Sequence, residues 1–139
     1  MFPRVSNYLA RILRHTYDVA ETAIGTPYYL SPEICQEKAY NIKSDIWSLG
    51  CLLYEMVTLK HAFDADSMKG LVMKILRGSY NPISKQYSND LSLLIGEMLQ
   101  KDHVIRPSIN KILEKPFLRP YLRTVIQKYS LATNYPETF

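Results

Sequence analysis

Residues 44–58 read SDIWSLGCLLYEMVT. After the first two positions the only charged side chain is Glu55, and apolar side chains fall on nearly every side of a helical wheel. A helix of that kind belongs in the middle of a domain, not on its surface. The pattern therefore predicts a central helix over 44–58, with Ser44 or Asp45 as its cap. Asp45 and Gly50 do not fit an apolar helix and need reasons of their own.

Working outward towards the N-terminus, residues 25–33 read GTPYYLSPE. Pro27 and Pro32 push Thr26 and Ser31 towards extended backbone. This is the signature of an ordered loop. It ends as a helix start, with Ser31 able to cap, Pro32 suited to the first helical position and Glu33 complementing the dipole. Residues 1–21 carry only weak periodicity.

Working outward in the other direction, three amphipathic helices follow. Met68, Leu71, Val72, Ile75 and Leu76 fall at helical spacing, with Asp66 or Ser67 as cap and Gly78 as terminator. Leu91, Leu94, Ile95, Met98 and Leu99 repeat the spacing behind Ser88. Ile109, Ile112 and Leu113 form a shorter helix, capped by Ser108 and stopped before Pro116. A last amphipathic stretch over 118–129 starts near Pro120. No segment alternates over strand length, so the fold class is mainly α.

The 139 residues are 47 % hydrophobic and 22 % charged, a composition of globular domains. The net charge of +4 comes from scattered Lys and Arg that form no run, so no nucleic-acid partner is expected. No apolar run reaches membrane-spanning length, and residues 1–13 lack the apolar core and small-residue cleavage site of a signal peptide. A cytoplasmic protein without a membrane partner is the expectation. Cys35 and Cys51 sit among apolar neighbours and read as buried free thiols, with a disulfide as the alternative. His15, His61 and His103 are isolated, and no metal site is expected.

Four stretches taken together resemble one family. They are GTPYYLSPE at 25–33, KSDIWSLGCLLYEM at 43–56, HAF at 61–63 and DHVIRP at 102–107. Their order and separation resemble the second half of a serine/threonine protein kinase catalytic domain. The stretch 25–33, with LKHAF, LVMKILRGSY and ILEKPF downstream, is similar to the NIMA-related (NEK) kinases. The resemblance implies a partial kinase domain over 1–117, an amphipathic helix over 118–131 and a flexible tail over 132–139. That is a kinase C-lobe without its N-lobe.

By the same resemblance, residues 9–23 are the activation segment and Thr22 is the candidate phosphosite. Gly25, Thr26, Pro27, Tyr28, Tyr29 and Leu30 form the loop that meets the substrate, with Thr26 facing the catalytic groups. Ser31, Pro32 and Glu33 match the family's Ala-Pro-Glu motif. Arg106 is the arginine that pairs with Glu33, and Asp45, Trp47 and Gly50 belong to the central helix. Such a pair would pin the substrate loop to the helices beneath it. Asp45 would accept backbone N–H bonds from the catalytic loop.

The family's reaction is ATP-dependent phosphorylation of protein serine or threonine. It needs a glycine-rich loop, a strand lysine, an HRD-type aspartate and a DFG aspartate that holds Mg²⁺. The 139 residues contain none of these motifs. The DFG position falls on Ser6, Asn7 and Tyr8, and a serine does not replace a carboxylate on Mg²⁺. No catalytic residue and no bound cofactor are therefore expected for this chain, although ATP and Mg²⁺ serve the intact family. Expected partners are protein substrates or regulators, or another kinase chain. Leu52 and Met56 are expected to lose the partners that the missing half supplies, leaving an apolar patch.

Overall fold

The computed structural model describes residues 28–133. Six α-helices lie among them: α1 Pro32–Cys35, α2 Ile42–Thr58, α3 Met68–Arg77, α4 Asn89–Met98, α5 Ile109–Leu113 and α6 Arg119–Thr133. A 3₁₀ turn, Pro116–Leu118, leads directly into α6, so that helix begins one residue before Pro120. No strand occurs among the described residues. The backbone divides into two units, the first ending at Arg106 and the second beginning at Pro107.

Short polar side chains set most of the helix starts. Ser67 accepts from the Gly70 N–H at 3.1 Å, and Ser88 from the Leu91 N–H at 3.2 Å. Ser108 accepts from the Lys111 N–H at 3.3 Å. Each is the cap that the spacing predicts. The central helix differs. Asn41, not Ser44 or Asp45, caps α2 by accepting from the Lys43 N–H at 2.8 Å. Ser44 sits three residues further on and accepts from the Asn41 N–H, which closes a capping box. Asn is as good a cap as Ser, and neither Ile42 nor Lys43 resists helical geometry, so the helix gains two residues. Ser31 stands at the cap position of α1, but its buried hydroxyl makes no hydrogen bond among the described residues. Pro32 and Glu33 start that helix instead.

The core of the first unit is built on one face of α2. Trp47, Cys51 and Tyr54 recur at helical spacing and pack with Phe63, with Leu71 and Ile75 of α3, and with Ile95 and Leu99 behind them. Trp47 stacks on Phe63 with centroids 5.3 Å apart, and Phe63 meets the edge of Tyr80 at 5.9 Å. Gly50 has a packing reason. A Cβ there would lie 2.9 Å from the Met98 Cβ and 3.0 Å from the Leu99 Cδ2, so its absence lets α4 approach α2. Gly78 ends α3 in the left-handed region with φ 67°.

The opposite face of α2 is uncovered. Leu49, Leu52 and Met56 are 41 %, 46 % and 68 % exposed, and Leu59 just beyond the helix is 88 % exposed. The expectation that Leu52 and Met56 stand without cover agrees with this, while the expectation of a helix buried all round does not. In the second unit, α6 exposes Tyr121, Val125, Ile126 and Tyr129. Among the described residues no helix is long and apolar enough to cross a membrane.

Candidate functional site

Glu33 enters the site because Pro32 and the short α1 turn its side chain inward, where it is only 3 % exposed. Arg106 comes from the segment after α4 and is 1 % exposed. Its two terminal nitrogens each donate to a different Glu33 oxygen, Nη1 to Oε1 and Nη2 to Oε2, both at 2.7 Å. Nε donates to the Gln100 carbonyl at 2.6 Å, Nη1 also to the Lys43 carbonyl at 2.8 Å, and Nη2 also to the Lys101 carbonyl at 3.1 Å. All five guanidinium N–H groups are therefore matched to acceptors. The Ser44 hydroxyl donates to Glu33 Oε1 at 2.7 Å, and Lys43 Nζ donates to the Arg106 carbonyl. The guanidinium carbon lies 5.0 Å from the centre of the Trp47 ring.

Complete pairing is what makes this burial tolerable. A carboxylate and a guanidinium out of water are stable only when geometry and further hydrogen bonds replace their hydration. Burial alone would raise the Glu33 carboxyl. The hydrogen bonds from Arg106 and Ser44, with the Arg106 charge, outweigh it and hold the group at about 2.

The loop just before α1 is tied to α2 by a second set of contacts. Ser48 donates to the Tyr29 carbonyl at 3.1 Å. The Tyr29 hydroxyl donates to Glu55 Oε2 at 2.6 Å, and His61 Nδ1 lies 3.1 Å from the same oxygen. The Tyr28 ring stacks on His61 at 3.7 Å and 11°. Tyr28 and Leu30 also pack against the core. The bond from Tyr29 draws the Glu55 carboxyl below its usual range, and the same bond raises the Tyr29 phenol.

The structure thus brings Glu33, Arg106 and Trp47 into one cluster and lays Tyr28, Tyr29 and Leu30 along α2. Gly50 stands apart, at the approach of α4. Asp45 is exposed on the first turn of α2 and makes no side-chain hydrogen bond among the described residues. Its expected partner, a catalytic loop, is not part of this sequence. Thr22, Gly25, Thr26 and Pro27 lie outside the described residues, as do Ser6, Asn7, Tyr8 and the stretch 9–23.

Sequence reasoning missed the cluster of Glu55 with Tyr29 and His61. One signal was available, the single acid in the apolar run over 46–58. Lys43 and Ser44 were also missed as members of the Glu33 cluster, since their neighbours are 63 and 11 residues away respectively.

The chemistry open to these groups is binding and positioning. Burial pushes the Cys35 thiol to about 11 and the Cys51 thiol to about 12, so neither is a thiolate nucleophile at neutral pH. Cys35 is only partly buried, contrary to expectation, and both thiols are free. Among the described residues no group of three or more His, Cys, Asp and Glu could hold a metal ion. Among the described residues the one buried carboxylate, Glu33, is taken up by Arg106 and Ser44, so these residues do not fit an ATP–Mg²⁺ site.

Residues 8–118 match the protein kinase domain family. Mouse serine/threonine-protein kinase Nek1 is 50 % identical over 127 residues, which cover 91 % of this chain and 11 % of that protein. The Dictyostelium discoideum probable serine/threonine-protein kinase nek3 is 54 % identical over 127 residues, with the same two coverages, 91 % and 11 %. Human serine/threonine-protein kinase Nek5 is 51 % identical over 121 residues, 87 % of this chain and 16 % of that protein. The chain spans a small part of the length of these curated relatives. The buried Glu33–Arg106 pair and the loop beneath it lie wholly within the matched span, and the chain belongs to the protein kinase domain family, among the Nek serine/threonine kinases.

Proposed function

We propose that this polypeptide acts as a protein-docking module of the kinase fold and does not transfer phosphate by itself. The family's reaction, phosphorylation of protein serine or threonine with ATP, calls for a carboxylate-held Mg²⁺ and a base beside the acceptor hydroxyl. The 139 residues carry no GxGxxG, HRD or DFG motif to supply them.

The observation that carries the docking reading is the double anchorage of residues 28–30. Glu33 and Arg106 hold the chain on one side, and Glu55, Ser48 and His61 hold it on the other. A loop fixed before its partner arrives loses little conformational freedom on binding. Partners of this kind are protein substrates or regulators of kinases.

The test pairs two measurements on the purified chain. Calorimetry with ATP and Mg²⁺ should give no heat of binding, and radiolabelled ATP should label no added protein. Immobilised chain should retain peptides from a degenerate library, and Tyr28→Ala should reduce that retention. Phosphate transfer by chain free of contaminating kinase would overturn the proposal, as would a library that binds no better than to an unrelated protein.

A second reading is favoured by the uncovered face of α2. Leu49, Leu52 and Met56 there suit a further kinase polypeptide that completes the domain. Under this reading, a polypeptide supplying the HRD and DFG segments restores phosphate transfer when mixed with this chain.

A further inference from the structure

A cavity of about 690 Å³ opens where α2 ends and α3 finishes. Its lining includes Glu55, Lys60 and His61 from the end of α2 and the segment after it, and Lys74, Arg77 and Tyr80 from α3 and the segment after it. Lys60 follows the left-handed Leu59 that terminates α2, with φ 56°. Thr58 fixes its backbone: the hydroxyl donates to the Tyr54 carbonyl at 2.8 Å and accepts from the Lys60 N–H at 3.2 Å. Lys74 and Arg77 are three residues apart on the last turn of α3, so they share a face.

Three cations from two elements therefore border one concavity. Two carboxylates, Glu55 and Asp64, also line it. Glu55 is already engaged by Tyr29 and His61. The ion pairs among the described residues are Glu55–His61 and Glu33–Arg106, and neither involves Lys60, Lys74 or Arg77; Lys74 Nζ donates to the Asp64 carbonyl, which leaves its charge uncompensated. Positive charge in the cavity is thus left without an equal number of available carboxylates. Cations in the last turn of a helix also complement its dipole, which accounts for Lys74 and Arg77 on α3 but not for Lys60, which lies beyond the end of α2.

We propose that this cavity receives a phosphorylated serine or threonine of a docked protein segment. A phosphoryl group carries close to two negative charges and three strong acceptor oxygens, the complement of an arginine and lysines that line one cavity. The cavity is open on one side, so it admits a side chain projecting from an extended segment. Glu55 and His61 are shared between the cavity wall and the anchorage of Tyr28 and Tyr29, so a segment lying on the 28–30 loop passes the cavity mouth. The inference rests on the docking reading of that loop and adds the class of partner: proteins that already bear a phosphate.

The test is fluorescence anisotropy on the full chain with two labelled peptide libraries, one with a fixed central phosphoserine and one with serine there. The phosphorylated library should bind about tenfold more tightly or better, the effect of one or two charge-assisted hydrogen bonds. Lys60→Ala combined with Arg77→Ala should abolish that preference, while Lys111→Ala, on α5, should leave it intact. Both cavity side chains are exposed, so circular dichroism of the double variant should match the parent. Equal binding of the two libraries would overturn the inference, as would a preference that survives the double variant. Equally tight binding of an RNA oligonucleotide would assign the charge to another class of ligand and overturn it too. If the serine library binds and Tyr28→Ala weakens it while no phosphate preference appears, the cavity proposal falls and the docking reading stands. If neither library binds, both fall.

Discussion

Arg106 and Glu33, 73 residues apart, meet through two parallel hydrogen bonds of 2.7 Å each. With both side chains sealed from water, removing one partner leaves an uncompensated buried charge, at a cost of about 3–5 kcal/mol. Arg106→Met and Glu33→Leu should each lower unfolding stability by that amount in urea titrations. The double variant should cost less than either single change, because no charge is then left unpaired. Arg106→Lys should also be damaging, since an ammonium cannot reproduce five planar donors. Additive losses in the double variant would show that the pair is not coupled.

The same pair sets an acid limit. The Glu33 carboxyl is lowered from 4.5 to about 2 in the folded chain. A lowered carboxyl contributes stability that is fully present above its ordinary value and is lost as pH falls towards the folded value. Stability should therefore fall between about pH 5 and pH 2, by about 3 kcal/mol from this group. Glu33→Gln should flatten that part of the profile. A parent and variant with parallel acid titrations of stability would contradict the assignment.

Gly50 is predicted to tolerate no side chain. The Cβ of an alanine would stand 2.9 Å from the Met98 Cβ, and both atoms are attached directly to helical backbone. Gly50→Ala should raise intrinsic helix propensity yet lower stability, by about 1–3 kcal/mol for an overpacked contact. Thermal or urea unfolding gives the sign. A stabilised variant would mean that α2 and α4 separate readily.

The uncovered face of α2 should be detectable in solution. Leu52 and Met56 are 46 % and 68 % exposed. The chain should bind an apolar dye, and Leu52→Lys with Met56→Glu should reduce the fluorescence with a stability change within about 0.5 kcal/mol. A fall of several kcal/mol would instead show that these side chains are buried in the folded protein.

Much of this arrangement was legible in the sequence. The caps Ser67, Ser88 and Ser108 and the terminator Gly78 were visible because each works through residues within four positions of itself. Glu33 and Arg106 were linked through the family resemblance alone; nothing local joins residues 73 apart. The start of α2 was misplaced because Asn41, Ser44 and Asp45 are all competent caps, and the choice lies in one cap bond of 2.8 Å and a longer reciprocal one. Tyr28, Tyr29, Glu55 and His61 escaped notice as a group because aromatic stacking and a shared carboxylate oxygen leave no periodic trace. Asp45 was given partners from the resemblance alone, and it is exposed on the first turn of α2.

Arg106 also bears on how the chain comes off the ribosome. Its donors reach back to Glu33 and Lys43 and to Gln100 and Lys101 just before it. During synthesis Glu33 emerges first, and at cellular elongation rates the 73 residues separating it from its cation take roughly 4–15 s to translate. Through that interval the Glu33 carboxylate lacks its cation, and of its final side-chain partners only the Ser44 hydroxyl has been made. The last described residue of the first unit is thus its fastener, and nascent chains halted short of it are natural clients for chaperones.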